Sequence, residues 1–207
     1  NVATCSGSIP STDKTADISG KGALSLGGGA YIEICGDNCG FEGAKEIKDA
    51  FVTVSSRYGL GSPAATAKVS ISAIDKGYLR FAGEGLVNDV PLSIAGRGFA
   101  VSTPYTALTA DRNDKLVLNG ALTIPEAAGF RIGNGWEIAG GYTGANSPWN
   151  TAYAGCEYWV TGPFTVSNSG NYYVLETATL HLAPNAASTK WPTYLYPRGG
   201  ATIVCEG

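Results

Sequence analysis

Short segments that alternate apolar and polar residues recur along almost the whole chain, with glycine- or proline-bearing turns between them. That pattern leaves little length for anything but β-strands. Residues 30–35, 51–55, 67–73, 78–81, 115–118, 120–124, 130–132, 136–139, 157–160, 164–166, 193–196 and 201–205 read as strands, and 172–182 reads as one longer strand. Residues 57–63 and the tripeptide Asp75-Lys76-Gly77 are the clearest turn signals, the second suited to a tight hairpin. Only residues 41–51 hint at a helix, because Ala44, Ile47, Ala50 and Phe51 recur at helical spacing opposite Lys45, Glu46, Lys48 and Asp49.

Strand signals at intervals of about 8 to 12 residues predict an all-β chain, folded as a single β-sandwich or jelly-roll-like domain with at most one short helix near residues 41–51. Residues 140–154 read as a surface loop rather than a domain boundary. A faint echo links residues 18–25, 94–101 and, more loosely, 119–124. A solenoid would repeat at a fixed period, and these intervals are unequal, so the echo reads as recurring hairpin chemistry.

The first ten residues alternate, placing Ala3, Cys5, Gly7 and Ile9 on one face. Residues 1–10 are therefore expected to form an N-terminal strand, residues 11–15 a hinge after Pro10, and residues 16–207 the body. Such a strand can pair within its own body or be donated to the sheet of a neighbouring copy, where ladder hydrogen bonds supply affinity.

Of the 207 residues, 15% are charged and 29 are glycine, a low-charge and turn-rich composition. Net charge is −3 and no basic run occurs, so nucleic acid is not an expected partner. No apolar run approaches the length of a membrane-spanning helix. The start at Asn1 and the absence of methionine are read as a chain whose leader has been removed, which predicts a secreted, extracellular or cell-surface protein.

The five cysteines lack zinc-site spacing, and an oxidising compartment would give two disulfides and one leftover thiol. Cys156 with Cys205 is the expected long closure. Cys35 with Cys39 is geometrically easy, and Cys5 with either of them is a rival.

No nucleophile elbow, phosphate-binding loop or zinc-protease motif is present. His181, the single histidine, reads as structural. Residues 111–114 carry oxygen ligands but lack the glycine and distal glutamate of a calcium loop, so no metal and no cofactor is expected. Glu176 shares a face with apolar residues if 172–182 is one strand, and Glu157 or Glu137 would be its partner in a two-carboxylate hydrolase. Trp136, Trp149, Tyr153 and Trp159 belong to an aromatic-rich second half that would suit sugar stacking. The leading expectation is a non-enzymatic structural subunit of a pilus-like filament, assembled by N-terminal strand donation between copies. The alternatives are a secreted glycan-binding lectin or adhesin, and a β-sandwich glycoside hydrolase.

Overall fold

The structure, a computed structural model, describes residues 3–5, 18–83, 86–95, 108–110, 115–125, 130–133, 156–166, 172–176, 178–184, 194–198 and 201–206. Seventeen strands follow one another: β1 Ala3–Cys5, β2 Leu24–Leu26, β3 Ala30–Ile34, β4 Lys45–Val54, β5 Val69–Phe81, β6 Leu86–Asn88, β7 Leu92–Ala95, β8 Leu108–Ala110, β9 Lys115–Leu118, β10 Leu122–Ile124, β11 Phe130–Gly133, β12 Glu157–Val160, β13 Phe164–Val166, β14 Tyr172–Glu176, β15 Thr179–Leu182, β16 Tyr194–Arg198 and β17 Thr202–Cys205. Every pairing among them is parallel. Parallel neighbours need a long connection, so the chain must travel round before it returns beside itself.

It does so as a three-faced coil. The first face stacks β1, β2, the start of β4, the start of β5, β7, β10 and β13. The second stacks β3, the ends of β4 and β5, β8, β11, β14 and β16. The third stacks β6, β9, β12, β15 and β17. From β7 to β15 the strands visit the faces in order, so each of these circuits lays one new strand on each face.

The expected antiparallel sandwich or jelly roll is therefore wrong, although the strand-rich composition was read correctly. Alternation reports that one side of a strand is buried and carries no information about the direction of its neighbour. Asp75-Lys76-Gly77 makes no hairpin: residues 73–76 lie inside β5 at a corner, where they stand opposite Asp49 alone. The expected helix at 41–51 is replaced largely by β4, whose register shifts between Lys48 and Ala50. Asp49, with φ 51°, forms that bend and widens the inward spacing from two residues to three between Ile47 and Ala50. A bulge of this kind imitates helical periodicity. The long strand expected at 172–182 is likewise two strands on different faces.

The inside of the coil is a set of largely aliphatic columns. Leu26, Ile47, Ile71, Ile94 and Ile124 form one column on the first face, each at most 3% exposed. Ile32, Val52, Leu79 and Leu108 form another on the second, and Leu86, Leu116, Tyr158 and Leu180 a third. Each such side chain contributes roughly 1.5–3 kcal/mol by leaving water.

The third face returns to the first through a corner built the same way on successive circuits. The Asn88 carbonyl accepts from the N–H groups of Asn119 and Gly120, and the Leu118 carbonyl accepts from those of Thr161 and Gly162. Such close stacking of corners leaves no room for a Cβ. One added at Gly162 would overlap the carbonyl oxygens of Asn119 and Gly120, and one at Gly120 those of Val90 and Asp89. Gly162→Ala is expected to lower stability by about 1–3 kcal/mol in a denaturant titration. Thr165→Ala, at an exposed position on the outer side of β13, should stay within about 0.5 kcal/mol. Equal effects would remove the corner from the account of the fold.

Ala3, Thr4 and Cys5 pair in parallel with Leu24, Ser25 and Leu26 of the same chain. Of the four residues expected to face another copy, Ala3 and Cys5 lie in this strand, and Gly7 and Ile9 lie outside the described residues. Cys35, Cys39, Cys156 and Cys205 are thiols, so neither expected disulfide forms, and Cys5 bridges to neither Cys35 nor Cys39. Cys156 precedes β12 and is buried, whereas Cys205 ends β17 two strands away in register with Val160 and is exposed. That offset exceeds the roughly 7 Å Cα limit of a bridge. The parallel sheets and the four thiols correct the expected sandwich and disulfides, and nothing in the fold speaks for secretion, pilus assembly or cell adhesion.

Among the described residues no helix is long and apolar enough to cross a membrane.

Candidate functional site

Among the described residues, a dense group of chemically active side chains sits on the outer side of the third face. Parallel register places Lys115, Glu157 and Thr179 in one column and Val117, Trp159, His181 and Val204 in the next. Leu116, Tyr158 and Leu180 between them point inward and fix the phase, which sends Trp159 and His181 out together.

The rings of Trp159 and His181 stack with centroids 3.8 Å apart and planes 6° from parallel. Lys115 Nζ lies 4.0 Å from the Trp159 ring centroid, a cation–π contact. Because Lys115 comes from β9 and His181 from β15, on either side of β12, they cover opposite faces of the indole. Trp159 Nε1–H donates to Glu157 Oε2 at 2.9 Å. His181 Nδ1 lies 2.8 Å from Glu206 Oε1, and since an ionised carboxylate only accepts, Nδ1 carries the proton. His181 Nε2 is buried without a hydrogen-bond partner, 3.9 Å from Glu157 Oε2.

The arrangement brings together three residues that the sequence suggested singly: Glu157, Trp159 and His181. It does not join Glu157 to Glu176. Glu176 ends β14 on the second face in register with Arg198, whereas Glu157 opens β12 on the third and is engaged by Trp159. Trp136, Glu137, Trp149, Tyr153 and residues 111–114 lie outside the described residues. Among the described residues no group of three histidine, cysteine or acidic side chains is placed to hold a metal ion.

A second site lies inside the coil and carries no motif. In register, Leu24, Lys45 and Val69 occupy one inward column, so a lysine stands where adjoining circuits place aliphatic residues. Lys45 is only 4% exposed. Its Nζ donates to the Gly43 carbonyl at 2.8 Å and lies 4.5 Å from the Phe41 ring centroid. Burial lowers its pKa from 10.5 to about 8. Further along the coil, Tyr158 is fully buried: its hydroxyl oxygen accepts from Ala110 N–H at 2.9 Å and lies 3.3 Å from Cys156 Sγ. Burial, then the neighbouring Cys156, push the Tyr158 pKa well up. Lys45 escaped notice in the sequence because lysine amid Glu46 and Lys48 reads as part of a solvated face.

No family model, no curated protein and no solved structure matches this chain.

The lowered pKa of Lys45 sets a sign for stability against pH. The neutral amine is the form that folding favours, so the stabilisation is fully present above 10.5 and is lost as pH falls through about 8. Lys45→Met keeps most of the volume and removes the charge. It is expected to raise stability near pH 7 by about 1–3 kcal/mol, with the advantage over the parent shrinking between pH 8 and 10.5. Denaturant titrations of both proteins across that range check this; a variant less stable than the parent near pH 7 would contradict it.

The outer stack has its own measurable energy. A double-mutant cycle of Trp159→Ala and His181→Ala is expected to give a coupling of about 0.5–1.5 kcal/mol. Additive single effects would mean that the rings merely lie side by side.

Proposed function

We propose that this chain is a non-enzymatic structural module in which the parallel coil serves as a rigid spacer. The observation that carries the reading is the state of Trp159, the one described candidate for a sugar platform. Lys115 takes one ring face and His181 the other, leaving only the indole edge for a ligand. A sugar ring stacks on a face, so glycan binding at this residue would require the ladder to be dismantled. The described carboxylates nearby, Glu157 and Glu206, are engaged in holding Trp159 and His181. Stacked aliphatic columns fill the interior, which supports a mechanical role. Neither a neighbouring copy nor a glycan is part of this reading.

Two measurements test it. A panel of oligosaccharides titrated against intrinsic tryptophan fluorescence, with chromogenic glycosides alongside, is expected to give neither saturable quenching nor turnover. Quenching removed by Trp159→Phe would restore the lectin, and turnover abolished by Glu157→Gln would restore the hydrolase. A spacer should also tolerate lengthening, since each circuit contacts only its neighbours. Duplicating residues 92–121 immediately before Leu122 adds one circuit between equivalent column positions and is expected to yield a folded protein with a higher denaturation midpoint. An aggregated or destabilised product would count against the module.

A further inference from the structure

Two asparagines of the chain, Asn119 and Asn134, precede a glycine. Asn134 lies outside the described residues, and Asn119 sits in the corner that leads from the third face to the first. An asparagine before glycine is prone to cyclise, because glycine has no side chain to keep its backbone nitrogen away from the neighbouring amide. In this corner both reacting groups are occupied. Gly120 N–H donates to the Asn88 carbonyl at 3.0 Å, next to the Asn119 N–H at 2.9 Å. Asn119 Nδ2 donates to Asp89 Oδ1 at 2.8 Å, while the Thr161 hydroxyl shares its proton between Asn119 Oδ1 at 3.3 Å and the Leu118 carbonyl at 3.4 Å. Asp89 and Thr161 directly follow Asn88 and Val160, the register partners of Leu118, so the amide is held between the circuit before and the circuit after. Arg57 fixes the Asp89 end, 3.5 Å from Oδ2. To meet its own backbone the Asn119 side chain must leave this row.

We propose that Asn119-Gly120 is a self-modification site whose reaction requires the corner to open. The Gly120 nitrogen attacks Asn119 Cγ: the N–Cγ bond forms, the Cγ–Nδ2 bond breaks, and ammonia leaves with the proton lost from the Gly120 amide. Water then opens the resulting succinimide at either carbonyl, leaving aspartate or isoaspartate at position 119 with no oxidation or reduction. Neither product restores the corner. Aspartate sets a second carboxylate against Asp89 where an N–H donor stood. Isoaspartate adds a methylene to the main chain beside Gly120, where even a Cβ would overlap the carbonyl oxygens of Val90 and Asp89. The closed coil therefore protects the pair, and a molecule that has reacted while open cannot close as before.

The test ages the full chain at mildly alkaline pH in native buffer and in denaturant, and peptide mapping by mass spectrometry resolves asparagine, aspartate and isoaspartate at each position. Asn134 in denaturant is the reference for an unrestrained pair. The native rate at Asn119 is the unrestrained rate multiplied by the open fraction of the corner, and is expected to be about tenfold lower or less than that. Asp89→Ala and, separately, Thr161→Val release one end of the amide and should speed native conversion at Asn119 without changing its rate in denaturant. Asn119→Asp, which is the normally linked product, should shift the folding equilibrium about five- to tenfold toward the unfolded state. Equal native and denatured rates at Asn119, a native rate unchanged in both variants, or a parent-like denaturation midpoint for Asn119→Asp would each overturn the site.

Discussion

Everything in this molecule depends on parallel register. Once strands stack in the same direction with no slip, the environment of a residue is set by the residues one circuit before and after it in the same column. Like must then stack on like, because a column is either inside or outside along its whole length. Ile47, Ile71, Ile94 and Ile124 satisfy this on the inside, and Trp159 and His181 on the outside. The corner glycines follow from the same constraint: backbones that repeat at the strand spacing of about 4.8 Å approach too closely at the turn for a side chain.

Against that rule Lys45 is the exception, and its chemistry is that of an exception. A buried amine among aliphatic walls is costly in its charged form, which is why its proton is lost more readily than that of a surface lysine. A Met or Leu at this position would have kept the column intact. Places where a chain departs from its own pattern are where something besides packing has to be accommodated. Of the described buried polar side chains, Asn38 and Asn88 hydrogen-bond through both backbone and side chain at corners, whereas Lys45 stands within a column.

The strands themselves were legible, since the alternation at residues 30–35, 115–118, 157–160 and 201–205 corresponds closely to β3, β9, β12 and β17. Their direction was not. The repeat that would have revealed it is present: Val87-Asn88-Asp89-Val90-Pro91-Leu92-Ser93-Ile94, then Val117 to Ile124, then Trp159 to Val166, all in register across the corner from third to first face. The echo among residues 18–25, 94–101 and 119–124 is not hairpin chemistry, and of its positions Leu24 and Leu122 share a column. What hid the repeat was its uneven interval. Extra residues between strands leave the columns undisturbed, and the circuit from Leu122 to Phe164 is longer than the one from Leu92 to Leu122. A fixed period is a property of solenoids without insertions.

The same register explains why the candidate site was only half visible. Glu157, Trp159 and His181 were each singled out, but their meeting depends on β12 lying beside β15, which an antiparallel arrangement would not provide. Register also changes what Trp159 can do. In an isolated strand an outward tryptophan offers a flat face to solvent, but in a stack each ring's faces point along the coil axis toward its own neighbours. A ladder of this kind converts aromatic side chains from recognition surfaces into cross-braces, and only an aromatic residue at the end of a column keeps a face free. Trp159 is not at an end: β9 lies on one side and β15 on the other, so its contribution is to hold three circuits together.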